Sequence, residues 1–569
     1  MKLQIIMIII FLIVSIFVEQ NNSEDPVIKL PNGLIVGRQD VTAEDTAYYA
    51  FEKVPYAAPP VGNLRFKAPQ PVEDWDGTLN TTYLDVSCYQ LGDQVFLPPM
   101  LEESEDCLFL NVYTPKLPNN ETENLLPVMV HIYGGGFIMG SSVTTPDLFV
   151  DKDVILVSFN YRVGIFGFLS TQDEVIPGNN GLKDQLQAIK WVNQNIHLFG
   201  GDPNKVTIFG GSAGASSCAH HTLNQNSLGL FQGVILSSGT FLCTGMFQRN
   251  SRQIAFGTAA VLNSTFETNQ DSQALLELFL SLDPEELNQA ASQYSTSITN
   301  PWDGFLEVGS IFAPVIEPKN PDAYITRKMF GLLEAGSVVP VPIFMGYNSE
   351  EKIAMGMDEE SLRSLAETLD ENLDYLVPAD MEITDIDNRT HMGSLIRDIY
   401  TGGEPFSENL GDAIRLSSDT FLTRSMGKHA ELYSEFATTY FYQFSYEGSF
   451  GMQFPHYNGT GSVGHGAEVD YLFCSGTSCN DPSYLEEDLL ERQRLITLFT
   501  NFAKYQNPTP EPVDLLQNVT WTPVSTTNGD FFYLDIGENF KVKNHPKGEA
   551  YAKWIELYDS LGYDDFDTY

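Results

Sequence analysis

The sequence predicts an α/β fold in which one large, mostly parallel β-sheet is covered by helices on both faces. Three observations predict it. Short apolar runs recur along the chain (Pro127–Tyr133, Val154–Phe159, Gly233–Leu236, Val341–Met345), and strands apolar on both sides belong to a sheet buried on both faces. Between two such runs, Leu182–Leu198 places apolar residues three and four apart, the spacing of a helix. Finally, Val206–Ser216 reads V-T-I-F-G-G-S-A-G-A-S. It passes from β-branched and aromatic residues through a glycine-flanked serine into small residues, which is a strand, a sharp turn and a helix start.

Taken in order, Val27–Arg38 reads as a hairpin turning at Pro31-Asn32-Gly33. The stretch Phe51–Phe66 is dense in proline and glycine and predicts a long, pinned connection without regular structure. Glu105–Tyr113 leads into a strand. The alternation of strand and helix then runs to Gly233–Leu236. From about Phe241 to Leu333 the chain reads as a helical insertion, clearest at Ala259-Ala260 and Leu275–Leu282, of the kind that sits above strand ends and shapes a substrate gorge. The last of these runs, Val341–Met345, is a fresh strand. No internal repeat, low-complexity tract or linker interrupts the chain, so residues 21–569 are expected to form one large domain.

Composition narrows the function. With 43% hydrophobic residues the chain can build a large core. Its 75 acidic against 31 basic residues give a formal net charge of −44, which repels phosphate backbones and anionic membranes and excludes nucleic acid as a partner. Lys2 precedes an apolar run from Leu3 to Val18 and then polar residues, the pattern of a signal peptide over residues 1–20. No A-x-A-like cleavage site is evident, so an uncleaved anchor stays open. No later stretch is apolar enough for a membrane span, and Leu561–Tyr569 carries neither an ER-retention nor a GPI signal; secretion is the expectation. Sequons at Asn80, Asn120, Asn263, Asn388, Asn458 and Asn518, with Asn21 near the start, fit a lumenal route. Of six cysteines, Cys88 with Cys107 and Cys474 with Cys479 are close enough in sequence to pair, whereas Cys218 and Cys243 read as small buried hydrophobes.

The chemistry gathers around Ser212. Gly210 and Gly214 let the chain turn so that the serine hydroxyl stands at the C-terminal edge of the sheet. A serine hydroxyl is weakly nucleophilic until an imidazole takes its proton and a third group orients that imidazole. The bland alternative is an ordinary strand-to-helix turn. Against it stands Gly134-Gly135-Gly136, directly after the Pro127–Tyr133 strand. There the Gly135 and Gly136 amides, with that of Ala213, would serve an oxyanion; the triplet lacks the Lys-Ser/Thr ending of a phosphate-binding loop. Glu351 follows the Val341–Met345 strand, where a triad acid belongs. His465 lies between glycines further on, giving the chain order Ser, Glu, His. The rival, His456, sits beside a sequon on what reads as a surface loop.

At this point the chain resembles the type-B carboxylesterase and cholinesterase family of α/β-hydrolases, most like arthropod carboxylesterases. The resemblance runs from about Val27 to Tyr558. It rests on V-P-Y-A-A-P-P-V-G-N-L-R-F, E-D-C-L-F-L-N-V-Y, H-I-Y-G-G-G-F, N-Y-R-V-G-I-F-G-F, G-L-K-D-Q, F-G-G-D-P and F-G-G-S-A-G in this order. It implies an α/β-hydrolase fold, a serine esterase without metal or cofactor, and a small-molecule ester as substrate. It also implies that Ser212, Glu351 and His465 form the triad, that Ser238 supports the acid and histidine, and that Cys88–Cys107 is the family's first disulfide. Arg65 with Glu105 and Arg162 with Asp184 resemble the family's buried ion pairs, which are scaffold.

Departures bear on substrate. Gly211 stands where many members have Glu, removing a carboxylate from the gorge, and Lys352 stands where Gly usually follows the triad acid. Leu97 replaces the tryptophan with which cholinesterases hold quaternary ammonium. The acyl-pocket positions, Val308 and Ser310, are smaller than the aromatic pair of acetyl-selective members, so neutral, hydrophobic esters with a medium or bulky acyl group are expected. Juvenile hormone esterases usually have Gln at the position of Gly211. A juvenile-hormone-type or odorant-degrading esterase, a lipase and a non-enzymatic adhesion protein on the same scaffold remain as alternatives; the intact triad opposes the last.

Overall fold

A computed structural model of the chain describes residues 25–92, 98, 100–118, 124–298, 310–353, 358–450, 453–474, 479, 481–525 and 530–569. The signal-peptide reading over residues 1–20, Asn21, Leu97, Asn120 and Val308 lie outside the described residues. In chain order the strands are Val27–Leu30 (β1), Gly33–Val36 (β2), Arg38–Val41 (β3), Ala47–Pro55 (β4), Thr78–Asn80 (β5), Val86–Ser87 (β6), Glu102–Glu103 (β7) and Phe109–Thr114 (β8). They continue with Leu126–Ile132 (β9), Ile155–Phe159 (β10), Gly201–Gly211 (β11), Gly233–Ser237 (β12), Ile343–Asn348 (β13), Thr439–Phe444 (β14), Phe532–Ile536 (β15) and Lys541–Asn544 (β16).

Eleven of these form one sheet in the order β16-β15-β14-β13-β12-β11-β9-β10-β8-β4-β3. The seven from β15 to β10 run parallel, and the strands at both ends pair antiparallel. This is the α/β-hydrolase architecture. Alternate residues of the central strands feed two separate cores. Ile208, Val234, Leu236 and Met345 pack with Ala215 and Ala219 on one face. Phe209, Ile235 and Phe344 pack with Leu495, Phe499 and Phe502 of the helix Glu486–Tyr505 on the other. Burying both faces explains why these strands read as unbroken apolar runs. Each fully buried aliphatic or aromatic side chain contributes about 1.5–3 kcal/mol, so the strand ends that carry the site rest on a rigid base.

The hairpin at Pro31-Asn32 forms as expected, with Leu30 opposite Gly33. Phe51–Phe66 is a correction. β4 runs through Phe51 to Pro55 beside β8, with its register shifted between Phe51 and Val54. Lys53 adopts φ 60° there and its amide turns to the Asn111 side chain at 3.1 Å. A bulge absorbs the irregularity, and Pro55 stands at the strand's last position, where a proline is tolerated. The insertion is helical at Ser251–Leu262, Ser272–Ser281, Pro284–Ile298 and Met329–Glu334, but residues 310–328 hold no regular element. Pro314, Pro318 and Pro321 forbid a helix there. The segment is instead clamped by Asn179, whose side-chain amide donates to the Val315 carbonyl at 2.8 Å and whose oxygen accepts from the Val315 amide at 2.9 Å. Lys183 adds a 2.7 Å ion pair with Glu317.

Both expected ion pairs form. Arg162 meets Asp184 through two 2.7 Å contacts. Arg65 meets Glu105 through two 2.6 Å contacts and also donates to the Phe279 and Leu282 carbonyls, tying the insertion to the sheet domain. Disulfides join Cys88 to Cys107 and Cys474 to Cys479, and Cys218 and Cys243 are buried thiols. Among the described residues no helix is long and apolar enough to cross a membrane.

Candidate active site

Because the central strands are parallel, their C-terminal ends lie along one edge of the sheet. β9 delivers Gly134–Gly136 there, β11 delivers Ser212, β12 delivers Ser238 and β13 delivers Glu351. Ser212 stands between β11 and the helix Ala213–Leu223 with φ 57° and ψ −125°. A non-glycine residue in that region costs about 1–3 kcal/mol, which the packing around it must hold in place. The flanking glycines are required by contact. A Cβ on Gly210 would lie 2.4 Å from the Ile132 carbonyl oxygen, and one on Gly214 would lie 2.0 Å from the same atom. The Ser212 amide donates to the Ser237 carbonyl at 2.8 Å, fastening the turn to β12.

Glu351 is wholly buried just beyond β13. Its Oε1 accepts from the Ser238 hydroxyl and from the Asn348 amide, each at 2.7 Å. Its Oε2 lies 2.6 Å from His465 Nδ1. The His465 amide also donates to the Glu351 carbonyl at 3.1 Å. A carboxylate at Nδ1 fixes the proton on that nitrogen and leaves Nε2 as the acceptor. Burial alone would lower the proton affinity of His465, but the Glu351 carboxylate and its hydrogen bond outweigh it, so the imidazole titrates above its ordinary value.

Ser212 and His465 line one cavity of about 690 Å³, together with Gly135, Gly211, Ser238 and Glu468. Its apolar wall includes Tyr133, Phe209, Leu472 and Phe473. The Gly135 carbonyl accepts from the Ile138 and Met139 amides, each at 3.1 Å, and the Gly136 carbonyl accepts from the Ser310 hydroxyl at 2.8 Å. In a trans peptide the N–H points away from the preceding carbonyl, so pinning the Gly135 carbonyl aims the Gly136 amide the other way. None of the Gly135, Gly136 and Ala213 amides has a protein acceptor among the described residues. Of the three, Gly135 reaches the cavity wall, while Gly136 and Ala213 are outside its lining. Ser310 is outside the lining too, its hydroxyl turned to the Gly136 peptide. His456, the rival histidine, is exposed, outside this cavity's lining and 3.8 Å from Glu447.

A buried, doubly donated carboxylate with an imidazole against it, and a strained serine that lines the same cavity as that imidazole, are groups of the kind acyl transfer needs. The sequence profile described as the Carboxylesterase family matches residues 24–554. The chain belongs to that family. It is a carboxylic ester hydrolase. The juvenile hormone esterase of Tribolium castaneum is 34% identical over 526 residues, 88% of this chain and 86% of that one. Esterase FE4 of Myzus persicae is 32% identical over 93% of this chain and 92% of its own. Among solved structures, the juvenile hormone esterase of Manduca sexta with OTFP covalently attached matches with a TM-score of 0.79 at 26% identity, over 95% of this chain and 100% of that one. PNB esterase matches with a TM-score of 0.72 at 26% identity, over 93% and 99% of the two chains.

Two features of the esterase's cavity were not assigned from sequence. Glu468, three residues after His465, is buried and lines the cavity; its Oε2 accepts from the Asn348 side chain at 2.6 Å, and its Oε1 has no partner among the described residues. Burial, then repulsion from Glu351, pushes this carboxyl up to about 7. The signal was present in the G-H-G-A-E motif, yet only burial separates such a glutamate from a solvated one. His131, in the second half of β9, lines the cavity between the rings of Phe209 and Phe473, at 5.0 and 4.8 Å. Burial lowers it to about 4, so it is neutral at physiological pH. Gly211 leaves room: a Cβ there would find no neighbour nearer than 3.9 Å.

Proposed function

We propose that this esterase is a secreted serine carboxylesterase that hydrolyses neutral, hydrophobic esters through an acyl-enzyme on Ser212. The observation that carries the reading is the 2.6 Å contact of His465 Nδ1 with Glu351, His465 and Ser212 both lining one cavity. Ser212 Oγ attacks the ester carbonyl as His465 Nε2 takes its proton. The amides of Gly135, Gly136 and Ala213 hold the resulting oxyanion, and Glu351, kept in place by Ser238 and Asn348, stabilises the imidazolium. His465 then gives its proton to the departing alcohol, and water repeats the sequence on the acyl-enzyme. The apolar wall and the absence of a carboxylate at Gly211 support neutral substrates. Val308 and Ser310 are acyl-pocket positions by the family resemblance alone, since Ser310 is outside the cavity lining.

We read residues 21–569 as one domain behind a leader at residues 1–20. Asn80, Asn263, Asn388, Asn458 and Asn518 are all exposed, as glycosylation requires. Purified Ser212→Ala is expected to keep its fold by circular dichroism and lose hydrolysis of p-nitrophenyl butyrate; turnover surviving in that variant would refute the acyl-enzyme at Ser212. A second reading, turnover of a juvenile-hormone-type methyl ester, is favoured by the names of the relatives in Tribolium castaneum and Manduca sexta. Competition between that ester and p-nitrophenyl esters of graded acyl length separates the two.

A further inference from the structure

Lys352 directly follows Glu351 and is 3% exposed. Its backbone amide donates to the Ser418 hydroxyl at 3.0 Å, and its Nζ lies 3.9 Å from the centroid of the Phe421 ring. Phe421 belongs to Asp419–Thr423, a single π-helical turn inside an otherwise α-helical run, and its ring meets the His465 imidazole edge-on, with centroids 5.1 Å apart. A π-turn of this kind displaces one residue out of the regular helical face and recurs at functional sites. Residues 351 to 352 therefore reach His465 twice, directly through the Glu351 carboxylate and indirectly through Lys352 and Phe421.

We propose that Lys352 is a positioning residue for the reaction described above: through Phe421 it holds the His465 ring in the plane of Glu351, and as a buried cation it opposes charging of that imidazole. The inference rests on the acyl-enzyme reading. A cation seated on a ring face at this distance is held by about 0.5–2 kcal/mol, which restricts the Phe421 ring and with it the histidine. The charged groups facing His465 are Glu351 at Nδ1, Glu468 on its own turn and Lys352 from the loop after β13. Asp419 in the π-turn is engaged by Tyr400, Thr423 and Lys547, and Glu350 by Lys547 and the Gly461 amide. Two carboxylates thus favour the imidazolium, and Lys352 is the group that opposes it. A histidine held too basic would be protonated, and useless as a base, at the pH of work.

The test compares wild type, Lys352→Met, Lys352→Arg and Phe421→Leu. The pH profile of kcat/KM for p-nitrophenyl butyrate is measured alongside the titration of 13C-labelled histidine, whose His465 resonance is the one missing from His465→Gln. Lys352→Met should move both the acid limb and the His465 midpoint upward by roughly half to one pH unit, the scale of one nearby charge in a partly screened site. Lys352→Arg should restore both. Phe421→Leu should lower kcat several-fold with KM unchanged. A folded Lys352→Met with the wild-type midpoint would overturn the proposal, because a purely structural lysine leaves titration alone. The resonance is read without turnover, so an inactive wild type refutes the acyl-enzyme reading and leaves this inference to be judged on the midpoint.

Discussion

In the proposed triad of Ser212, Glu351 and His465, Glu468 and Ser238 bear on different members, His465 and Glu351, and single-atom substitutions separate their roles. The Glu468 carboxylate favours the charged imidazole, so Glu468→Gln should move the acid limb of kcat/KM to lower pH, opposite in sign to Lys352→Met. An unmoved limb would mean that Glu468 is not felt at His465. The Ser238 hydroxyl supplies one of the two donors on Glu351 Oε1. A hydrogen bond to a charged group is worth about 1.5–3 kcal/mol, so Ser238→Ala should lower kcat by about ten- to a hundred-fold with little change in KM, read in a steady-state assay. Ser212, Glu351 and His465 were legible in the sequence because each sits in a short motif whose glycines or preceding strand announce a turn. Glu468, Asn348 and His131 were not, because their roles come from burial and from neighbours more than a hundred residues away or across the sheet.

The elbow is an element whose glycines are fixed by the distance between β9 and the helix Ala213–Leu223. A Cβ at position 214 would meet backbone on both Ile132 and Tyr133, at 2.0 and 2.9 Å. Gly214→Ala should therefore destabilise the protein by about 1–3 kcal/mol, as other overpacked sites do, and lower the thermal midpoint measured by differential scanning fluorimetry. Gly211→Ala, whose Cβ meets nothing nearer than 3.9 Å, should leave that midpoint within about a degree. Equal effects at the two positions would contradict this account of the turn. The same logic explains which elements were legible. Strands buried on both faces announce themselves as apolar runs, as β9, β10, β11, β12 and β13 do. β4 hid behind its bulge at Lys53 and the proline at its end, and residues 310–328 borrow their order from Asn179 and Lys183, which no local pattern reveals.

At the scale of the whole molecule, buried titrating groups set how stability depends on pH. His131 is lowered to about 4, and His220, His221 and His429 to about 3, all chiefly by burial. A depressed folded value means the unfolded chain binds more protons, so these groups lose stability as pH falls from 6.5 toward 3. Glu468 and Glu491 are raised to about 7, chiefly by burial, and act in the other direction, removing stability as pH rises from about 4.5 to 7. Four imidazoles outweigh two carboxyls below pH 6, and the two sets balance near neutrality. With self-repulsion from the net charge of −44 screened at about 0.15 M salt, the thermal midpoint should rise from pH 4.5 and level off near pH 7. A midpoint that falls steadily over that range would show that charge repulsion governs instead.

The central claim is that Ser212 is an activated nucleophile in a working oxyanion site. The most direct measurement is labelling of the purified protein with a fluorophosphonate probe, with and without prior diisopropyl fluorophosphate, followed by mass-spectrometric mapping of the modified peptide. The account predicts a single adduct on Ser212 that pretreatment blocks and that His465→Gln abolishes. Well-folded protein that takes up no probe, or takes it up elsewhere, would contradict it.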